Sequence, residues 1–266
     1  MVFENKVFAV TGGGNGIGRH VVLQLLQKGA KVVALDISEK GLQETQELAK
    51  QNEQNLLCHK INIASREEVE ALPELINQKF GQIDGVLNVA GIVQPFIKVN
   101  DLSYEQIERV MNVNFYGSLY MIKAFLPILL ANKDTSVIVN VSSMGGFLPV
   151  PGQSVYGASK AALKLLTEGL YAECQGTNVR VCGVFPGAVA TNILQNSNVT
   201  MESNGETKAR TMVTAEDAAK QILDGIEKEK FRVMIGKDSK IMDFLYRLNP
   251  KRAVGMITKQ MKDLLK

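Results

Sequence analysis

The 266-residue chain is poor in the residues that build stapled or metal-held folds, with three cysteines and two histidines. Cys58, Cys174 and Cys182 are odd in number, far apart and in no CxxC pair. That excludes a disulfide framework and a zinc ribbon, and it makes a reducing, cytoplasmic setting the expectation. His20 and His59 stand alone, so neither a histidine metal site nor a Ser-His-Asp triad is expected, and no metal is assigned. No stretch approaches ~18 uninterrupted apolar residues, so no membrane-spanning helix is expected. The most apolar candidate, 118–131, is broken by Lys123 and Pro127. Residues 1–10 carry Glu4 and Lys6 and lack a long apolar run, so they read as a first strand rather than a signal peptide. Internal repeats, low-complexity runs and Pro-rich linkers are also missing. One domain is the economical reading.

What is present is a 45% apolar composition, ample for a core. Apolar runs at 6–11, 31–36, 56–63, 84–89, 136–142, 179–185 and 231–236 read as buried strands. Between them, amphipathic periodicity predicts helices over 16–28, 66–80, 102–131, 154–175 and 214–228, and a polar helix over 38–52. Ser38, Ser103 and Thr214 are the expected caps. Strands alternating with helices imply an α/β, doubly wound, seven-stranded parallel sheet with helices on both faces.

The first strand runs into Thr11-Gly12-Gly13-Gly14-Asn15-Gly16-Ile17-Gly18. Glycines between a buried strand and a helix allow a tight turn and close backbone approach to a pyrophosphate. The following helix offers free N–H groups and a positive dipole end. Strand two ends in Asp36, whose carboxylate can accept from both adenosine ribose hydroxyls and repels a 2′-phosphate. Asn15 and Ile37 flank it where NADP would want a cation. NAD is therefore the expected cofactor, ahead of NADP.

Tyr156 and Lys160 are four residues apart, on one helix face and roughly 6 Å apart along the axis. A free tyrosine titrates near about 10, and a neighbouring ammonium is expected to lower that. Such a pair can exchange a proton with substrate. Upstream, a strand ends in Ser142 and Ser143.

With these residues in place, the chain resembles the short-chain dehydrogenase/reductase family, in its single-domain Rossmann form, from about Lys6 to Gly236. The resemblance implies a TGxxxGxG pyrophosphate loop formed by Thr11, Gly12, Gly16 and Gly18, with Gly14, Asn15 and Ile17 between. Its NNAG motif reads Asn88-Val89-Ala90-Gly91 here, so the second Asn is missing, and Asn88 is the one expected to face the cofactor. Asn62, with Ile63, stands where an acidic residue usually meets adenine. Pro186, Gly187, Val189 and Thr191 match the PGxxxT turn that holds the nicotinamide carboxamide.

The implied catalytic four are Asn114, Ser143, Tyr156 and Lys160, with Ser143 chosen because it precedes the tyrosine by thirteen positions. The family mechanism gives Ser143 the substrate oxygen and Tyr156 the proton. Lys160 takes the tyrosine pKa and the nicotinamide ribose, and Asn114 a water linking Lys160 to bulk solvent. The implied activity is hydride transfer between NAD(H) and a secondary alcohol or ketone. A catalytically silent nucleotide-binding or scaffolding protein, and a non-redox epimerase or dehydratase relative, are the alternatives.

Substrate walls are expected from Ser143, Gln94, Gly145, Phe147, Val150, Gln153, Tyr156 and Ile193. The polar segment 188–213 is the expected lid. The long helices 102–131 and 154–175 suggest a homodimer or homotetramer.

The net charge of +3 is unevenly spread. Within 237–266 there are eight cations and three acids, leaving this segment at +5 and residues 1–236 at −2. It reads as two short amphipathic helices separated by Pro250, packed on the domain or a partner. Weak peripheral membrane contact is a second possibility. The balance gives no case for nucleic acid.

Overall fold

The computed structural model describes residues 1–191, 193, 197 and 212–260. Seven short apolar segments pair side by side: β1 Val7–Thr11, β2 Lys31–Asp36, β3 Leu56–Lys60, β4 Gly85–Asn88, β5 Ser136–Val141, β6 Val179–Pro186 and, last in the chain, β9 Arg232–Ile235. They form one parallel sheet in the order β3-β2-β1-β4-β5-β6-β9. Two-residue alternation sends Phe8 and Val10 to one face and Val7 and Ala9 to the other. Helices α1 (Gly16–Gln27), α2 (Glu39–Leu48) and the helix Ala215–Glu227 cover the first face through Val22, Leu25, Leu42, Ile222 and Ile226. The second face is covered by α3 (Arg66–Glu70), α4 (Leu72–Phe80), α6 (Ser118–Ala131) and α7 (Ser154–Glu173), with α5 (Tyr104–Met111) packed against α7. With both faces buried, the strands read as continuous apolar runs rather than alternating ones.

The chain lays β2 and β3 to one side of β1 and β4 to the other. The carboxyl ends of β1 and β4 therefore flank a topological switch point, where doubly wound sheets open a crevice. Thr11 and Asn88 are register partners at that edge. The Thr11 hydroxyl accepts from the backbone N–H groups of Val89 and Ala90, at 3.0 and 3.1 Å, and so ties the two turns together.

Several boundaries differ from the sequence reading. The expected helix 66–80 is two helices, because Pro73 in the first turn of α4 has no N–H with which to continue α3. The expected helix 38–52 ends at Leu48 and continues as a 3₁₀ turn, Lys50–Asn55. The long helix does run unbroken from Tyr104 to Ala131 but contains a π turn, Asn112–Gly117. Lys123 and Pro127 do not stop it. It is the one helix among the described residues long and apolar enough to cross a membrane. Here it lies against the sheet, with Met121, Phe125 and Leu129 fully buried.

Short strands β7 (Val189–Ala190) and β8 (Val213–Thr214) pair beside the sheet and bracket the expected lid. Apart from 188–191, 193, 197, 212 and 213, that segment lies outside the described residues. The two tail helices, Lys237–Leu248 and Pro250–Gln260, pack on the loop after β5: Ala253 and Ile257 bury against Leu148, with Met242, Leu245 and Tyr246 around them.

Candidate active site

The glycine loop makes sharp turns at Gly12 (φ +73°) and Gly16 (φ +50°), a region of backbone space that L side chains rarely occupy. A Cβ on Gly18 would lie 2.1 Å from the Gly12 carbonyl oxygen, so α1 can cross the loop this closely only with glycine there. Asn15 caps α1, its side-chain oxygen accepting from Gly16 N–H at 2.7 Å. The first turn of α1 has no acidic side chain to cancel its positive end. The loop opens into a cleft of about 920 Å³. That volume, the bare glycine backbone and the acid-free helix end suit a dinucleotide pyrophosphate.

Of the residues expected to hold a cofactor, the loop positions Gly12, Gly14, Asn15, Gly16, Ile17 and Gly18 all line this cleft. So do Asp36 with Ile37, Asn62 with Ile63, Ala90 with Gly91, and Thr191. Pro186, Gly187 and Val189 do not. Asn88 is 1% exposed and turned into the sheet, its amide donating to Asn140 at 2.8 Å, and Asn140 in turn donates to Thr167 on α7 at 2.9 Å.

Asp36 holds its end of the cleft through two backbone donors, Gly14 N–H and Ser38 N–H, each at 2.9 Å. Three cations that sequence reasoning passed over also line the cleft, Arg19, Lys40 and Arg109. Arg19 is spent on protein groups: its guanidinium donates to the Gly14 and Gly41 carbonyls and pairs with Glu44 at 2.6 Å. Helical spacing was the available signal, since Arg19 is four residues past Asn15 on α1.

Beyond Gly91 lie the four residues expected to do chemistry. Ser143 Oγ accepts from Gly145 N–H at 3.0 Å. A Cβ on Gly145 would meet the Tyr156 ring at 3.3 Å and Ser143 Oγ at 3.5 Å, so serine, glycine and tyrosine form one wall. Burial pushes the Tyr156 phenol above its ordinary value, with a hydrogen bond to Ser143 pulling the other way. This reverses the depression expected from Lys160. The Lys160 amine is directed instead at the Val141 carbonyl, 3.0 Å away, and burial brings its pKa down to about 8.

Asn114 sits in the π turn, a distortion that recurs at functional sites. Its amide donates to the Ile92 carbonyl at 2.9 Å and to Ser159 Oγ at 3.0 Å, and its oxygen accepts from Ile92 N–H at 2.9 Å. Asn114 thus clamps the Gly91–Ile92 turn to α7. A Cβ on Gly91 would lie 3.0 Å from Lys160 Nζ and 3.2 Å from Asn114 Oδ1.

Among the proposed substrate residues, Phe147 is half-buried against Phe185, their ring centroids 6.2 Å apart, and Ile193 lines the cleft. Gln94 and Gln153 are different: they are 0% and 3% exposed and cannot act as an open wall. The side-chain oxygen of Gln94 accepts from Val155 N–H and Tyr156 N–H, both at 2.9 Å, while its amide donates to the Gly152 carbonyl at 2.9 Å. Gln153 donates to the Gln94 carbonyl at 2.7 Å. No local side chain caps α7, so Gln94 caps it from a distant loop, at the backbone of the tyrosine itself. Gln94→Leu is expected to cost about 2 kcal/mol of stability and, by loosening Tyr156, to lower kcat about tenfold to a hundredfold. Thermal unfolding alongside steady-state kinetics checks this. A fall in melting temperature with unchanged kcat would make Gln94 structural only.

The family model described as short chain dehydrogenase matches residues 6–202. A Mycobacterium tuberculosis protein named as an oxidoreductase, SadH, is 36% identical over 254 residues, spanning 92% of this chain and 91% of its own length. Among solved structures, a short-chain dehydrogenase/reductase from Burkholderia phymatum in complex with NAD superposes with a TM-score of 0.80 at 26% identity, covering 88% of this chain and 90% of that one. A short chain dehydrogenase from Burkholderia cenocepacia in complex with NADP gives a TM-score of 0.80 at 25% identity, covering 97% and 99%.

Proposed function

The chain belongs to the short-chain dehydrogenase/reductase family of oxidoreductases, and we propose that it transfers a hydride between NAD(H) and a secondary alcohol or ketone. The observation that carries this reading is the wall that Ser143, Gly145 and the Tyr156 ring form together, with Lys160 one helical turn on, just beyond a cleft that suits a dinucleotide. An intact Ser143, Tyr156 and Lys160 set speaks against a silent scaffold.

The loop 12–18 and the start of α1 would hold the pyrophosphate, and Asp36 the adenosine ribose. Asn62 and Ile63 would border the adenine. Tyr156, Lys160 and the turn from Pro186 to Thr191 would border the nicotinamide side. When bound, the dinucleotide supplies the carbon that gives or takes the hydride.

Every other duty falls to the chain. Ser143 hydrogen-bonds the substrate oxygen and steadies the charge that develops on it. Tyr156, kept neutral by burial, gives its proton to that oxygen in reduction and takes it back in oxidation. The Lys160 ammonium favours the phenolate left behind. Asn114 keeps the turn beside Lys160 in place.

This arrangement sets a pH dependence. In reduction the charged form of Lys160 is the useful one, and it is lost as pH rises through about 8. The kcat/KM for reduction is therefore expected to be flat below about pH 7 and to fall about tenfold per pH unit above the lysine pKa. A profile that stays flat to about pH 10 contradicts the role given to Lys160.

A homodimer or homotetramer is the proposed assembly. Exposed Tyr104 and Tyr116 on the long helix and Leu165 on α7 support it. Sedimentation velocity reads the state directly.

A further inference from the structure

The tail helices are each held by one face. On the helix Lys237–Leu248, Asp238 accepts from Ala188 N–H at 2.7 Å, and Ser239 donates to the Phe185 carbonyl at 2.8 Å. Met242, Leu245 and Tyr246 pack around Leu148. Asp243 pairs with Arg232 at 3.4 Å and with Arg247 at 3.1 Å. Both acids of this helix are thus satisfied by contacts within the chain.

The outward face reads Lys237, Lys240, Ile241, Phe244, Arg247 and Leu248, at the three- and four-residue spacing of a single helical stripe. Ile241, Phe244 and Leu248 are 57%, 62% and 67% exposed. The next helix repeats the division: Ala253 and Ile257 are buried, while Lys251, Arg252, Met256 and Lys259 face out. Among the described residues, Lys237, Lys240, Lys251, Arg252 and Lys259 have no carboxylate partner. A lone exposed leucine is ordinary on a protein surface, but a stripe of large apolar side chains bordered by unpaired cations marks an interaction site.

Its chemistry selects the occupant. A two-fold contact with a second copy sets this basic stripe against itself, and like charges facing each other oppose that. A nucleic acid satisfies the cations and leaves Ile241, Phe244 and Leu248 in water. An anionic lipid surface takes both: the apolar side chains enter the headgroup boundary while the lysine and arginine heads stay among the phosphates. We propose that the outward face of the two tail helices is a docking surface for an anionic lipid membrane, which holds the enzyme there peripherally. The inference stands apart from the catalytic reading.

The test is co-sedimentation of the full chain with vesicles of phosphatidylcholine alone and of phosphatidylcholine with about one-third phosphatidylglycerol. One variant combines Lys240→Glu, Lys251→Glu and Arg252→Glu; a second combines Phe244→Ser and Leu248→Ser. All of these side chains are exposed, and thermal unfolding verifies that the fold is kept. The expected result is binding to the anionic vesicles only, weakened at least about a hundredfold by the charge reversal, about tenfold by the apolar changes, and strongly by high salt. Absent binding, equal binding to neutral vesicles, or binding indifferent to the charge reversal overturns the proposal. So does a halving of the solution mass by the Phe244→Ser and Leu248→Ser variant, which assigns the face to a second copy.

Discussion

Tyr156→Phe is expected to lower turnover by about 10³-fold or more while the dinucleotide binds as before. The substitution removes one hydroxyl. The ring keeps its place against Gly145, and the residue's N–H keeps its bond to Gln94. What is lost is the proton that passes to and from the substrate oxygen. Lys160 does not replace it, because its amine is directed at the Val141 carbonyl. Turnover and dinucleotide affinity measured on the same preparation separate chemistry from binding. Near-normal turnover would remove Tyr156 from the mechanism.

The second large effect is expected at Asp36. Its two oxygens hold Gly14 N–H and Ser38 N–H, which presents a fixed negative charge at one end of the cleft. Against an adenosine ribose, that charge accepts hydroxyl hydrogen bonds worth about 1.5–3 kcal/mol each. Against a 2′-phosphate it repels. Asp36→Ala is therefore expected to weaken NAD use by about a hundredfold and to relieve NADP of the repulsion, for a swing in preference of about 10³. Arg19, tied to Glu44, offers little to the incoming phosphate, but Lys40 lines the same cleft and has no ion pair among the described residues. Asp36→Asn, which keeps an acceptor oxygen for one of the two backbone donors and sets an NH2 group against the other, is expected to fall between. The readout is kcat/KM with each cofactor for the three proteins. A wild-type preference for NADP would overturn the reading of Asp36.

The sheet and its glycine loop were legible because burial writes itself into periodicity. Strands covered on both faces become apolar runs, and Thr11 to Gly18 follows one of them directly. The acid ending β2 and the tyrosine and lysine four residues apart on α7 are local patterns of the same kind. What stayed hidden depends on residues far apart in the chain. Gln94 looked like a pocket wall because its partners, Val155 and Tyr156, are about sixty residues away and its role is to cap another segment's helix. Asn88 looked like a cofactor contact, yet its strand turns it inward to Asn140. The π turn at Asn114 adds a residue to one helical turn without altering the hydrophobic pattern enough to read. The direction of the Tyr156 shift also escaped, since spacing brings Lys160 near but says nothing of how deeply the phenol is buried. The tail's basic character was plain in the sequence. The division of each tail helix into a docked face and an outward one follows from contacts with Leu148, Ala188 and Phe185.

The central claim is that this chain moves a hydride through Ser143, Tyr156 and Lys160. Its most direct test offers a panel of secondary alcohols with NAD, and of ketones with NADH, to the wild-type protein and to Tyr156→Phe, following the absorbance of the reduced nicotinamide. The account predicts turnover of at least one substrate by the wild type and its loss in the variant. Turnover of none by the wild type, or equal turnover by both, would contradict it.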